Sequence, residues 1–217
     1  RGSSVEKGAR GTVLNKIYSD HTSYRVEITP PKGGVSKVWA DVSVRGGRVL
    51  WMFKESAIGS QTISPATAVA IAKTFLTSQG FQNMREISRR DYQGVSAIGF
   101  AYEQNGVLIY PDYVVVRVAL DEGRVDGFEG TNYQIFHKIR ALKEPELSEA
   151  EAREGLNPRL TVVSSGLAVI LDDFYREKQV YEFRCKLGKD IYVVYINAET
   201  GEEEEVKKAE TGGFELI

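Results

Sequence analysis

Three glycines at a near-constant interval constrain this chain more than any other feature. Gly47, Gly123 and Gly201 lie 76 and then 78 residues apart. Each sits in a polar turn between two β-prone runs: Val42-Ser43-Val44-Arg45-Gly46-Gly47-Arg48-Val49, Val118-Ala119-Leu120-Asp121-Glu122-Gly123-Arg124-Val125, and Tyr195-Ile196-Asn197-Ala198-Glu199-Thr200-Gly201-Glu202. A short hairpin turn needs a residue with positive φ, which glycine adopts without steric cost. An earlier turn accompanies each of them, at Gly33-Gly34, Asn105-Gly106 and Leu187-Gly188. The runs beside these turns, such as Val180-Tyr181-Glu182-Phe183-Arg184-Cys185, alternate with the period of a half-buried antiparallel strand. The chain therefore reads as about three copies of one meander, since self-similarity at a fixed period marks repeat architectures.

A helix is expected ahead of the second meander and another ahead of the third. Ser64-Pro65 supplies a serine N-cap followed by proline at the first helical position, and Gly80 closes the segment. Between them Ala68, Ile71, Ala72, Phe75 and Leu76 recur at helical spacing and form one apolar face. Ser148-Glu149-Ala150-Glu151 has capping-box spacing, and Asn157-Pro158 is expected to end that helix. A helix with one apolar stripe buries it most simply on one face of a short antiparallel sheet. The expected fold is thus α+β, with tandem units that each pack a helix on a short meander. The units span residues 1–61, 62–142 and 143–217. The first has its meander, with Thr12 to Ile17 as the opening strand, but no room for a preceding helix, which is either upstream or missing.

Bulk composition agrees with a folded chain, at 42% hydrophobic and 27% charged residues with only 6 prolines. No apolar run is long enough to span a bilayer as a helix. The chain begins Arg1-Gly2-Ser3-Ser4 without an initiator methionine, which is expected of a processed or partial chain whose targeting segment lies outside it. Cys185 has no disulfide partner and falls in an alternating strand pattern, so a buried thiol is expected. Net charge runs +5, 0 and −7 across the three units. No basic stripe is interleaved with stacking aromatics, which disfavours nucleic acid as a ligand.

The helix segments ISPATAVAIAKTFL (63–76) and LSEAEAREGL (147–156), with the turn DEGRVDGF (121–128), resemble the PepSY repeat family. Their order, the linker Gly130-Thr131-Asn132-Tyr133-Gln134-Ile135-Phe136-His137-Lys138 and the run from Ala150 to Leu160 make residues 10–210 similar to the PepSY region of a spore germination protein. The resemblance implies a non-catalytic, protein-binding module without cofactors. It also implies a membrane-anchored, exported parent at the inner spore membrane, on the cortex side, with the anchor outside this chain. The implied partner is the cortex-lytic enzyme SleB, which the module stabilises or restrains, with cortex peptidoglycan as a further contact. The alternatives are a PepSY-type inhibitor of a secreted peptidase and a cell-wall protein that binds or hydrolyses glycan or peptide.

The residues themselves offer little to a catalytic reading. His21 and His137 have no companion at metal-ligand spacing. Gly94-Val95-Ser96-Ala97-Ile98 begins like a nucleophile elbow, but Ile98 stands where the strained turn needs glycine, and Ser96 is expected to point outward from a strand. Neither Asp172-Asp173 nor Glu202-Glu203-Glu204-Glu205 has EF-hand spacing; the glutamate run suits a solvated edge strand. Aromatic residues are left as the candidates for partner or interdomain contacts: Tyr110, Tyr113, Tyr133 and Phe136, with His137 beside them, while Trp39 and Trp51 fall on strand ends. Tyr133 and Phe136 are expected to wedge between the second and third units, because this linker is too apolar for a free tether.

Overall fold

The computed structural model describes residues 10–17, 22–30 and 36–209. His21 and the Gly33-Gly34 turn lie outside these residues. Strands occupy 53% of the described chain and helices 14%, so the sheet dominates. The first meander is β1 (Arg10–Ile17), β2 (Ser23–Thr29), β3 (Val38–Ser43) and β4 (Val49–Lys54). Next come helix α1 (Pro65–Ser78) and strands β5 (Met84–Tyr92), β6 (Val95–Gln104), β7 (Val107–Ala119) and β8 (Val125–Glu129). Short helices α2 (Thr131–Phe136) and α3 (Glu149–Glu154) precede β9 (Thr161–Leu171), β10 (Glu177–Leu187), β11 (Asp190–Asn197) and β12 (Glu203–Ala209).

These strands do not form tandem helix-on-meander units, which corrects the α+β expectation. They join in one mixed 12-stranded sheet, whose main path is β1-β2-β3-β4-β8-β7-β9-β10-β11-β12, with β6 and β5 branching from β7. The physical reason lies in the strand edges. A free meander leaves a row of backbone N–H and C=O groups unpaired at each border. Here β4 pairs antiparallel with β8, Met52 opposite Phe128, and β7 pairs in parallel with β9 at Leu108 and Ile109. Neighbouring meanders thus satisfy one another's backbone.

Strand β7 makes this possible by changing partners along its length. Val115 to Val118 pair with β8, and Leu108 and Ile109 with β9. Between them the register with β6 jumps from Ala101–Tyr113 to Tyr102–Ile109, leaving Tyr110, Pro111 and Asp112 in a bulge. Proline has no N–H to give a ladder and is tolerated at such a bulge.

One row of opposed residues crosses six strands: Val26, Ala40, Met52, Phe128, Val116 and Ile98. Helix α1 covers the part of this face that lies on β6, β7 and β8, burying Ala68, Val69, Ala72, Phe75 and Leu76 against Ile98, Phe100, Val114 and Val116. Its start is as expected, with Ser64 Oγ accepting from Thr67 N and Pro65 at the first position. The first meander carries the same face onward without a helix over it among the described residues. On the opposite face Trp39, Phe53 and Trp51 stack at 6.3 and 6.4 Å. The Arg25 and Arg117 guanidinium groups lie over Trp51 and Phe53.

Helix α3 has the capping box of Ser148 and Glu151 but ends at Glu154, ahead of Asn157-Pro158, and buries only Ala152. Gly47, Gly123 and Gly201 all take positive φ, at 60°, 70° and 76°. Asn105 and Gly106, at 53° and 81°, both take the left-handed conformation of a two-residue hairpin turn. Cys185 is fully buried, and burial raises its thiol pKa. Ser96 corrects its expectation: it is fully buried and donates to Asp91 Oδ1 at 2.6 Å. The glutamate run opens β12, which terminates the main path of the sheet.

Candidate functional site

The bulge in β7 carries Asp112 out of the ladder into a buried polar cluster. Asp112 is fully buried, and Arg140 grips it through two bonds of 2.9 and 2.8 Å. The same guanidinium donates to Glu177 Oε1 at the start of β10, at 3.1 and 2.8 Å. It also donates to the carbonyls of Lys138 and Phe136. Gln104 clasps the Arg140 backbone from both sides, donating to its carbonyl at 2.6 Å and accepting its N–H at 2.9 Å. Lys138 Nζ adds a contact of 3.2 Å to Glu177.

A buried charge is costly unless it is paired and hydrogen-bonded, and this cluster meets both conditions. Burial pulls the Arg140 pKa down, but hydrogen bonds to Asp112 and Glu177 outweigh it and hold it above the ordinary value. Burial alone would raise Glu177, yet its bonds from Arg140 and Lys138 hold it below the usual carboxylate range. Asp112 and Gln104 belong to the second unit and Glu177 to the third, so the cluster clamps the two together.

His137 links the clamp to a cleft. Its Nδ1 lies 2.7 Å from Asp112 Oδ2. Its ring stacks on Tyr133 at 4.1 Å and meets Tyr102 edge-on at 4.8 Å. Tyr133 in turn packs edge-on against Phe81, at 4.8 Å, and burial pushes its phenol up to about 12. The Phe81, Tyr133 and His137 rings form one wall of a cleft of about 790 Å³; the other is the open face of the first meander, with Ile28, Val38, Ala40 and Met52. Two cations, Arg48 and Lys54, also line it. Arg48 donates weakly to Gln134 at 3.4 Å, and among the described residues neither cation has a carboxylate partner.

Tyr133 and His137 thus stand together at the cleft. The Tyr133 ring belongs to the core of the second unit and faces the first. Phe136 is half-buried and gives its carbonyl to Arg140. Tyr110 crosses to the third unit, where its hydroxyl donates to Glu182 and its ring meets Tyr195 edge-on at 6.1 Å. Tyr113 is half-buried on β7, its phenol pKa raised by burial and by Glu129. Sequence reasoning missed Gln104, Asp112, Arg140 and Glu177, and with them Arg48 and Lys54. Pro111 inside an otherwise regular strand pattern was the signal that a bulge would turn Asp112 away from the ladder. Among the described residues, no group of three or more His, Cys, Asp or Glu is placed to hold a metal ion.

Residues 5–143 match the family described as YpeB sporulation, PepSY1 and PepSY2 domains, and residues 147–207 match the peptidase propeptide and YPEB domain. The chain is 40% identical to the sporulation protein YpeB of Halalkalibacterium halodurans over 170 residues, which cover 78% of this chain and 38% of that protein. The Bacillus subtilis protein of the same name is 29% identical over 173 residues, covering 79% and 38%. The chain therefore spans about 38% of the length of these curated relatives. The solved Bacillus megaterium YpeB C-terminal domain superposes with a TM-score of 0.84 at 30% identity, covering 95% of this chain and 92% of that one. With the same PepSY domains matched along the sequence and the same fold beneath them, the chain belongs to the YpeB family of sporulation proteins.

Proposed function

We propose that the chain is a non-catalytic binding module that stabilises or restrains the cortex-lytic enzyme SleB. The observation that carries this reading is the braced cleft, a preformed concave surface with an apolar floor and two cations. Its shape is held by strands shared between units and by the Asp112–Arg140–Glu177 clamp. A rigid surface binds without the entropic cost of ordering itself first. The ionisable groups that lie closest together are engaged with one another. Arg140 and Lys138 hold the Glu177 carboxyl below the usual carboxylate range, whereas general acid catalysis needs a carboxyl able to carry a proton. We place the module outside the inner spore membrane on the cortex side, with its anchor elsewhere in the longer protein and cortex peptidoglycan as a secondary contact.

The test follows SleB under limited proteolysis, with and without the purified chain, and muropeptide release from cortex fragments in parallel. A longer SleB lifetime, with no release by the chain alone, is expected. Release by the chain alone would make it a hydrolase, and an unchanged SleB lifetime and activity would remove the reading. The match of residues 147–207 to the peptidase propeptide domain supports a second one, inhibition of a secreted peptidase. Saturable inhibition of such an enzyme by the intact chain, with SleB unaffected, would select it.

A further inference from the structure

Building on the reading of the chain as a binding module, we propose that the cleft receives one face of an amphipathic α-helix of the partner protein, and that a carboxylate on this helix pairs with Lys54 and Arg48. The shape follows from the continuous sheet face. Helix α1 lies over the β6, β7 and β8 end of the row that runs Val26, Ala40, Met52, Phe128, Val116, Ile98. The same row continues across β4, β3 and β2, where Met52 and Val26 stay partly exposed. The C-terminal end of α1 and Phe81 form the side of the cleft, so a second helix there would lie beside α1 on the same sheet. Such grooves take helices through apolar anchors spaced i, i+3, i+4 and i+7.

The charge pattern favours a partner that comes and goes over a permanent cover. Beneath α1 the sheet is apolar and closed, with Ile98, Val114, Val116 and Val118 fully buried. Beneath α3 it is the same, with Phe183, Val194 and Ile196. The first meander instead sets Lys54 in the row beside Val38 and leaves Arg48 at the rim. An ammonium half-buried against an apolar wall, with no carboxylate partner among the described residues, is satisfied by an acid that arrives with the ligand. Reversible interfaces are only about as apolar as the rest of a protein's surface and carry a polar rim, whereas permanent ones are more apolar.

The probe is a helix-stabilised peptide with the sequence of residues 64–80, which already fits this face one unit away. It is made in two forms, one as it stands and one with Lys73→Glu, a position beside the apolar stripe. Each is titrated into the isotope-labelled intact chain. The glutamate form is expected to give saturable shifts confined to Ile28, Val38, Ala40, Met52, Phe81 and Tyr133. R48E/K54E should weaken it by about ten-fold or more and strengthen the lysine form by a similar factor. If circular dichroism shows that this variant is unfolded, R48Q/K54Q replaces it for the first comparison. No saturable binding, shifts confined to the edge strands β1 and β12, or indifference to charge reversal would each overturn the proposal.

Four further outcomes separate the sources. If the wild-type chain protects SleB and R48E/K54E protects it equally, the helix proposal fails while the binding module stands; if the wild-type chain gives no protection, the module reading itself fails. Hydrogen-exchange protection of β2, β3 and β4 in the longer protein without partner would assign the cleft to the same polypeptide and overturn the partner assignment. A dimer abolished by R48E/K54E would assign it to a second copy, with the same consequence.

Discussion

Arg140 concentrates the energetics of the junction between the second and third units, because one guanidinium pairs with two carboxylates from different parts of the chain. Arg140→Met would leave Asp112 buried with only His137 for company, and breaking a buried pair in this way typically costs about 3–5 kcal/mol. Urea unfolding of the variant should show a loss in that range; a change under about 1 kcal/mol would mean that water reaches Asp112 once the clamp opens. Glu177 supplies the pH dependence. Its pKa is depressed in the folded state, so its contribution is complete above the ordinary glutamate value and is lost as pH falls through the folded value. Glu177→Gln should therefore lower stability at neutral pH and flatten its fall in acid, as read from melting temperatures between pH 7 and 3. Cys185 should react with a thiol reagent only on unfolding, since it is fully buried with a raised pKa. Its burial was legible from strand alternation. The clamp was not, because no local pattern shows which acid will meet Arg140 across 28 or 37 residues.

Elements whose signals are local could be read directly, and those whose geometry depends on distant partners could not. The Ser64 cap, the Pro65 start and the apolar face of α1 all lie within one short segment, as do the hairpin glycines. Ser64→Ala should cost about 1 kcal/mol through loss of the bond to Thr67 N. Gly123→Ala should cost more than 1 kcal/mol, because φ is +70° and the added Cβ would lie 2.7 Å from Ile71 Cδ1. Thermal unfolding of the two variants against wild type checks both; equal stability for Gly123→Ala would mean that the turn can relax around Ile71. The direction of Ser96 is set by the neighbouring strand, since Asp91, across the β5–β6 hairpin, accepts its hydroxyl, whereas α3 ends at its own C-cap, Gly155.

At the scale of the whole molecule, the threefold repeat is present but its copies have merged into one sheet. The sequence spacing of the glycines marks each meander and carries no information about the β4–β8 and β7–β9 pairings, which join residues far apart along the chain. Shared strands couple the units, so denaturant should unfold the chain in one transition, with far-UV circular dichroism and tryptophan fluorescence coincident. Trp39 and Trp51 report only the first meander, so a fluorescence change that precedes the loss of secondary structure would show the first unit opening alone. The same coupling gives the cleft its rigid walls, one from the first meander and one from the second unit. Hydrogen exchange of the intact chain with and without SleB tests that surface most directly. Slowed exchange is expected in residues 26–30, 36–54, 75–81 and 131–137, which frame the cleft; an unchanged pattern there, or protection confined to the third unit, would contradict a binding function seated in the cleft.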